Sequence, residues 1–112
     1  MNWLHLYNEE QLDKIVRNSF NKAKIIFKHS TRCSISSTAK GRLDRNSTPE
    51  NTDFYYLDLI ANRSLSNKVS TVFSIIHESP QILLIINGKC VYYKSHSSIS
   101  FANIQEQLEV NQ

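Results

Sequence analysis

Cys33 stands in a polar and cationic stretch of the sequence, KHSTRCSISS (residues 28–37). A structural cysteine usually has apolar neighbours, whereas neighbouring serine and threonine residues leave a thiol accessible to water and to reaction partners. Between Lys28 and Arg42 there are four cations and no carboxylate, and nearby positive charge favours the thiolate form of cysteine. Because the thiolate is the nucleophilic form, this stretch predicts thiol chemistry at Cys33.

The position three residues after Cys33 indicates which kind of thiol chemistry to expect. A dithiol oxidoreductase carries a second cysteine there, but this chain reads Cys33-Ser34-Ile35-Ser36. A cysteine without such a neighbour accepts a thiol adduct from a substrate and passes it to a free thiol. Cys90 could act as the resolving thiol instead, but its place after an Asn-Gly turn, in an alternating strand pattern, favours a packing role. We therefore leave Cys90 out of the catalytic set.

Helical and strand-like patterns alternate along the chain, which indicates an α/β protein. Such alternation requires parallel strands joined by crossover helices, and the Asn87-Gly88 turn signal adds a C-terminal antiparallel hairpin. We therefore predict a thioredoxin-like fold, a central mixed sheet flanked by about four helices, in a single domain over residues 1–112. The predicted helices are 9–20, 34–43, 65–73 and 101–108, and the predicted strands are 23–27, 54–60, 81–86 and 90–93, with a short strand allowed at 3–6.

Apolar residues at three- and four-residue steps predict the buried faces of the first three helices. These expected core positions are Leu12, Ile15, Val16 and Phe20, then Ile35, Ala39 and Leu43, then Leu65, Val69, Val72 and Phe73. Asn8 and Gln11 are expected to cap the first helix, and Ser30 or Thr31 the second. Asp58, within an apolar strand pattern, is expected at a sheet edge or facing outward.

This order of elements places Cys33 directly after a central strand and at the start of a helix. In α/β sheets, ligands bind outside the carboxyl ends of the strands, where such loops lie. Free backbone amides and the positive end of the helix dipole favour a thiolate there, and Lys28 and Arg32 are expected to support it. The alternative is an incidental surface thiol at Cys33.

Ser79-Pro80 is a second informative pair, because it immediately precedes an apolar strand pattern. Two interpretations have equal weight, a cis X-Pro bond and a plain proline at the start of a strand. In a thioredoxin-like sheet, the cis form would place Ser79 beside the reactive thiol, with backbone hydrogen bonds for an extended ligand. His77 and Glu78 precede the pair, and either tune Cys33, hold ligand or are solvated loop residues.

Composition argues against several other functions. With only Gly41 and Gly88, the chain has too few glycines for a Walker A loop or a dinucleotide fingerprint. It has no G-x-S-x-G elbow, and its four histidines lack the spacing of a zinc site, so neither a metal nor a tightly bound cofactor is expected. Its net charge of +3 is scattered, which does not favour nucleic-acid binding. The absence of a leader pattern and of a long apolar run predicts a cytoplasmic protein away from the membrane.

Four collinear stretches, which together cover nearly the whole chain, resemble the monothiol bacilliredoxin family. They are NWLHLYNEEQLDKI (2–15), FKHSTRCSIS (27–36), FYYLDLIANRSLSN (54–67) and HESPQILLIINGK (77–89). The resemblance implies a thioredoxin-like, redox-active, cytoplasmic protein whose cysteine removes bacillithiol from S-thiolated proteins. It implies Cys33 as the nucleophile and Ser79-Pro80 as the cis-proline element. Where the usual motif has proline, this chain has Ser34, which adds a backbone amide and a hydroxyl near the sulfur.

The expected site therefore has one catalytic residue, Cys33, surrounded by residues that support the thiolate or bind ligand. These are Lys28, Thr31, Arg32, Ser34, Ser36, Glu78, Ser79 and Pro80. The expected partners are S-thiolated proteins and a low-molecular-weight thiol. The resemblance implies bacillithiol as the co-substrate, and its malate group suits the cationic surroundings of Cys33.

Two other functions fit the same residues. A thioredoxin-like binding module could use the Cys33 face to hold a partner or, with a small thiol and a second subunit, an iron-sulfur cluster. A non-catalytic scaffold would carry Cys33 as an ordinary thiol. The charge around Cys33 and the family resemblance favour the monothiol oxidoreductase.

Overall fold

Strands and helices alternate in the computed structural model, which describes residues 1–111. The elements are β1 (Trp3–His5), α1 (Glu9–Asn18), β2 (Ala23–His29), α2 (Ser34–Asp44), β3 (Thr52–Asp58), α3 (Arg63–Phe73), β4 (Gln81–Ile86), β5 (Lys89–Ser95) and α4 (Phe101–Val110), with a 3₁₀ turn at His96–Ser98. Among the residues described, no helix is both long enough and apolar enough to cross a membrane.

The five strands form one mixed sheet in the order β1-β3-β2-β4-β5. β1, β3 and β2 are parallel, whereas β4 runs antiparallel to β2 and β5 antiparallel to β4. Asn87 and Gly88 have positive φ angles of 52° and 76°, which the tight turn between β4 and β5 requires. The predicted thioredoxin-like fold, with its parallel strands and C-terminal hairpin, is therefore confirmed.

Helices cover both faces of the sheet, and each face has its own apolar core. One core lies under α1 and α3, and includes Ile26, Leu57 and Leu83 from the strands. The other lies under α2 and α4, and includes Phe27 and Phe54. Successive side chains of a strand point to opposite faces, so β2, which is central, is buried on both.

The first helix begins as predicted, with a reciprocal capping box. Gln11 N–H donates to Asn8 Oδ1 at 2.8 Å, and Asn8 N–H donates to Gln11 Oε1 at 3.2 Å. The helix ends earlier than expected, at Asn18, so Phe20 lies beyond it and is 63% exposed. Its ring covers Gly88 at the hairpin turn instead of joining the core.

Two other expectations of burial are wrong. Ile35 and Val72 are exposed, because the buried faces of α2 and α3 run through Ser36 and Phe73, one position further along each helix. Asp58 ends β3, which lies between two strands, so it is not at a sheet edge, and it is partly exposed. Its Oδ1 accepts hydrogen bonds from the backbone N–H groups of Ile60 and Ala61, and thereby shapes the turn toward α3.

Candidate functional site

Cys33 is the N-cap residue of α2 and is half-buried at the carboxyl end of β2. A tight turn positions it, since Cys33 N–H donates to Ser30 O at 3.1 Å and Ser37 N–H donates to Cys33 O at 3.0 Å. No side chain caps α2, so the expected cap from Ser30 or Thr31 is wrong. The first amides of α2 and the positive end of its dipole therefore remain available to a negatively charged sulfur.

Ser36, at the position of a second cysteine in a dithiol motif, is fully buried. Its Oγ accepts a hydrogen bond from Ser30 N–H at 3.0 Å and lies 2.6 Å from Nδ1 of His29. The hydroxyl therefore connects the end of β2, the turn before Cys33 and the first turn of α2. Ser36 was expected to contact thiolate or ligand, and the structure shows its hydroxyl bonded within the loop that carries Cys33.

His29 is a site residue that the sequence analysis did not identify. It is buried under α2, where its ring stacks on Phe27 with centroids 5.7 Å apart. Burial lowers the pKa of His29, and the charge of Lys40 lowers it further. The His29 ring is therefore neutral at neutral pH, which suits its hydrogen bond with Ser36. The available sequence signal is a histidine two positions after the apolar Phe27, on the same side of the strand.

Ser79-Pro80 lies at the same end of the sheet as Cys33. Gln81 begins β4 and pairs with Lys28 near the end of β2, so the residues before Gln81 adjoin those that lead to Cys33. The Ser79-Pro80 peptide bond is cis. Ser79 Oγ is buried and has no hydrogen-bond partner among residues 1–111.

The residues that surround Cys33 along the chain are exposed. Thr31, Arg32 and Ser34 face solvent, and so does Ile35 with 52% of its surface. Arg32 therefore offers a positive charge next to the thiol, and Ile35 adds an apolar patch at the same helix start. This combination suits a partner that is both anionic and partly apolar.

Lys28 does not lie where the sequence analysis expected it. It follows Phe27 in β2, so its side chain points to the opposite face of the sheet from α2. There its Nζ donates to Ser66 O at 3.0 Å and to Ser70 Oγ at 2.6 Å, and it lies 3.1 Å from His77 Nδ1. All three N–H groups of the ammonium are thus used on the α3 side. Any support of Cys33 by Lys28 is indirect.

Two further groups complete the region. Glu78 Oε2 lies 3.3 Å from His96 Nδ1, at the turn that follows β5. Cys90, on the edge strand β5, donates from its Sγ to Tyr92 O at 3.4 Å, and burial raises its pKa to about 11. Cys90 is therefore protonated at neutral pH, which agrees with a packing role.

Within residues 1–111, no group of three or more histidine, cysteine or acidic side chains is arranged to hold a metal ion.

A protein-family model described as monothiol bacilliredoxin BrxC matches residues 4–104. Among solved structures, an oxidoreductase candidate with a thioredoxin fold superposes with a TM-score of 0.82 at 27% identity, covering 93% of this chain and 91% of that one. Schistosoma mansoni thioredoxin gives a TM-score of 0.75 at 18% identity, covering 97% and 94% of the two chains. Trypanosoma brucei brucei thioredoxin gives 0.77 at 12%, covering 99% and 93%. The two thioredoxins support the fold alone.

Proposed function

Because the chain belongs to the monothiol bacilliredoxin family, we propose that Cys33 removes bacillithiol, or a similar low-molecular-weight thiol, from S-thiolated proteins. The family and the thioredoxin-fold relative support a thiol redox role. One observation carries the monothiol mechanism. A single thiol begins α2, while Ser36, at the position of a second thiol, is buried and hydrogen-bonded.

In the proposed reaction, the Cys33 thiolate attacks the bacillithiol sulfur of a mixed disulfide between bacillithiol and a protein. A disulfide forms between Cys33 and bacillithiol as the original S–S bond breaks, and the released protein thiolate takes a proton from water. A second thiolate then attacks the bacillithiol sulfur held on Cys33. That step releases a low-molecular-weight disulfide and returns Cys33 to its thiolate form.

Residues around Cys33 have separate roles in this proposal. The first amides of α2 stabilise negative charge on the sulfur, and Arg32 attracts the carboxylates of a malate group. The backbone of Ser79 offers hydrogen bonds to the extended thiol ligand. The partners are S-thiolated proteins and free bacillithiol, the exchange needs no tightly bound cofactor, and its proposed setting is the thiol-reducing cytoplasm.

Intact-mass analysis tests the proposal most directly. The protein and its Cys33→Ser and Cys90→Ser variants are each mixed with a bacillithiolated test protein. The adduct is expected to leave the test protein and appear on the wild type and on Cys90→Ser, but not on Cys33→Ser, because only Cys33 provides the attacking thiolate. Adduct transfer by Cys33→Ser contradicts the mechanism.

The same experiment separates the alternatives. If a glutathionylated or coenzyme A-modified test protein is cleared and the bacillithiolated one is not, the nucleophile is right and the assigned thiol is wrong. If no adduct moves from any test protein, the binding module becomes the favoured alternative. Bound iron with charge-transfer absorbance in the purified protein would then indicate a cluster.

A further inference from the structure

A buried polar cluster lies on the face of the sheet opposite α2. We call it the Lys28 cluster, and its members are Lys28, Ser66, Ser70 and His77. Lys28 is 0% exposed, and its ammonium meets the Ser66 carbonyl, the Ser70 hydroxyl and the His77 ring at distances of 2.6 to 3.1 Å. The cluster thus joins three separate parts of the chain, which are β2, α3 and the segment that leads to β4.

None of the three acceptors around Lys28 is a carboxylate. A buried charge without a counterion is costly unless hydrogen bonds satisfy it, and an ammonium has three N–H groups to satisfy. Each acceptor is therefore needed, and His77 supplies one that comes from a loop and not from a regular element. Burial lowers the pKa of Lys28 to about 8, so the group is still mostly charged at neutral pH.

The protonation state of His77 follows from this geometry. An ammonium only donates, so His77 Nδ1 accepts and the ring proton is on Nε2. Protonation of Nδ1 would replace the acceptor by a positive donor that faces Lys28. The hydrogen bond between Lys28 and His77 and the charge of the His77 ring therefore depend on the same atom, Nδ1.

The segment 74–80 connects the Lys28 cluster to the Cys33 site. His77 is bound by Lys28, and the carbonyl of Ile76 accepts from Gln81 Nε2 at 3.0 Å. Lys28 and Gln81 are paired across β2 and β4, so rigid strands hold both anchors. Ser79 follows His77 by two residues and lies at the Cys33 end of the sheet.

We infer that Lys28 and His77 are positioning residues of the Cys33 site. Their contact fixes the segment 74–80, which carries Ser79, and protonation of His77 in mild acid frees that segment. The expected effect on thiol transfer rests on the function proposed above. The expected fixation and release of the segment 74–80 is independent of that function.

Charges from each neighbouring element act on His77. Burial lowers its pKa most, and the charges of Lys28 on β2 and Arg63 on α3 lower it further, while Glu78 on the same segment raises it. Glu78 is itself paired with His96 from the turn after β5. The release therefore occurs below the usual pKa range of histidine. Deprotonation of Lys28 at alkaline pH disturbs the Lys28 cluster less than protonation of His77 does, because a neutral amine keeps two N–H donors and gains an acceptor.

Two variants of His77 separate the hydrogen bond from the titration. In His77→Asn, the side-chain oxygen stands near the place of Nδ1 and accepts, but it cannot titrate. In His77→Leu, the acceptor is lost at every pH. Lys28→Met removes the charged donor and leaves His77 Nδ1 with the longer contact to Ser66 Oγ at 3.4 Å. Lys24→Met is its matched control, since Lys24 is also buried on β2 but pairs with Asp53.

The readout is the backbone ¹⁵N order parameter of residues 76–79, recorded along a pH titration with the imidazole ¹⁵N shift of His77. In wild type, we expect a rigid value of about 0.85 that falls below about 0.6 as His77 protonates. His77→Asn stays rigid throughout, His77→Leu and Lys28→Met are mobile already at neutral pH, and Lys24→Met behaves as wild type. If wild type and His77→Asn respond alike, or if His77 stays neutral until the protein unfolds, the inference is wrong.

Thiol transfer gives the second readout. The ratio of the transfer rate of His77→Asn to that of wild type is expected to rise as His77 protonates, because the variant keeps the segment fixed while wild type releases it, and pH effects outside this residue are common to both proteins. If this ratio of transfer rates stays constant with pH although the segment becomes mobile, the positioning role is wrong. If no thiol adduct moves in any variant, the proposed function fails, and the order parameters still decide whether the segment is fixed by the cluster.

Discussion

At the scale of single residues, the hydroxyl of Ser36 takes the place of a second thiol and holds the loop that carries Cys33. Its oxygen serves Ser30 N–H and the ring of His29 at once. A thiol is a weaker hydrogen-bond partner than a hydroxyl, so a cysteine at this position would hold the loop less firmly. The absence of a second thiol at this position is thus coupled to the order of the loop that carries Cys33.

Replacing Ser36 by alanine is expected to destabilise the protein by about 1 to 3 kcal/mol, because the buried His29 ring and the partly buried N–H of Ser30 lose their partner. Urea denaturation followed by circular dichroism measures this change in the free energy of unfolding. Ser37→Ala is the matched control, since Ser37 is the next residue of α2 and is exposed, and its effect should stay within about 0.5 kcal/mol. Equal losses in the two variants would argue against the bonding role of Ser36.

Sequence analysis located Cys33 but misplaced Lys28, and the difference has a physical reason. The charge and polarity around Cys33 are local properties that a sequence displays directly. The role of Lys28 depends on which face of β2 it occupies, and the predicted strand ended at residue 27, two residues before the end of β2. If the alternation of side chains along β2 is continued to His29, it places His29 under α2 and Lys28 under α3.

At the scale of elements, α2 carries Cys33 although serine, threonine and glycine are poor helix formers. Packing of Ser36, Ala39 and Leu43 against the sheet holds it in place. The sequence predicted the four helices and strands β2 to β5, and allowed the short β1, because hydrophobic periodicity is read over short windows. It misjudged the exposure of Ile35, since which side of a weakly amphipathic helix is buried depends on tertiary contacts.

Alanine at the two glycines should change stability in opposite directions. Around Gly41, in α2, no atom other than those of its chain neighbours and the nearby helix backbone lies within 4 Å of an added Cβ, so Gly41→Ala should stabilise the protein by about 0.5 to 1 kcal/mol. Gly88 has a φ of +76°, and an added Cβ would lie 3.3 Å from the Phe20 ring, so Gly88→Ala should cost about 1 kcal/mol or more. Urea midpoints measure both, and shifts of the same sign would refute the comparison.

At the scale of the whole molecule, groups on both faces of the sheet make the fold sensitive to acid. Burial lowers the pKa of His29 on one face and of His77 on the other. For Asp53, burial alone would raise the pKa, but hydrogen bonds from Lys22 and Lys24 lower it below its usual range. A lowered pKa means that the unfolded chain binds protons that the folded chain does not, so stability falls as the pH falls.

Two steps of destabilisation are therefore expected on acidification. The first begins as the pH falls below about 6.5 and comes from the histidines, and the second begins below about 3.9 and includes Asp53. Urea unfolding at a series of pH values measures both steps. His29→Asn and His77→Asn should each reduce the first step, whereas the exposed His5 provides a control in His5→Asn. Constant stability between about pH 7 and pH 5 would contradict the expectation.

Lys28 and His29 are joined by one peptide bond, yet they contact opposite layers of the molecule. Insertion or deletion of a single residue in β2 would exchange their positions, with an ammonium under Ser36 and an imidazole under α3. Substitution can therefore alter either residue, but the number of residues between them and Cys33 is fixed. We expect any chain that shares this site to keep its buried lysine five positions before the cysteine, as Lys28 precedes Cys33 here, however far the rest of the sequence has diverged.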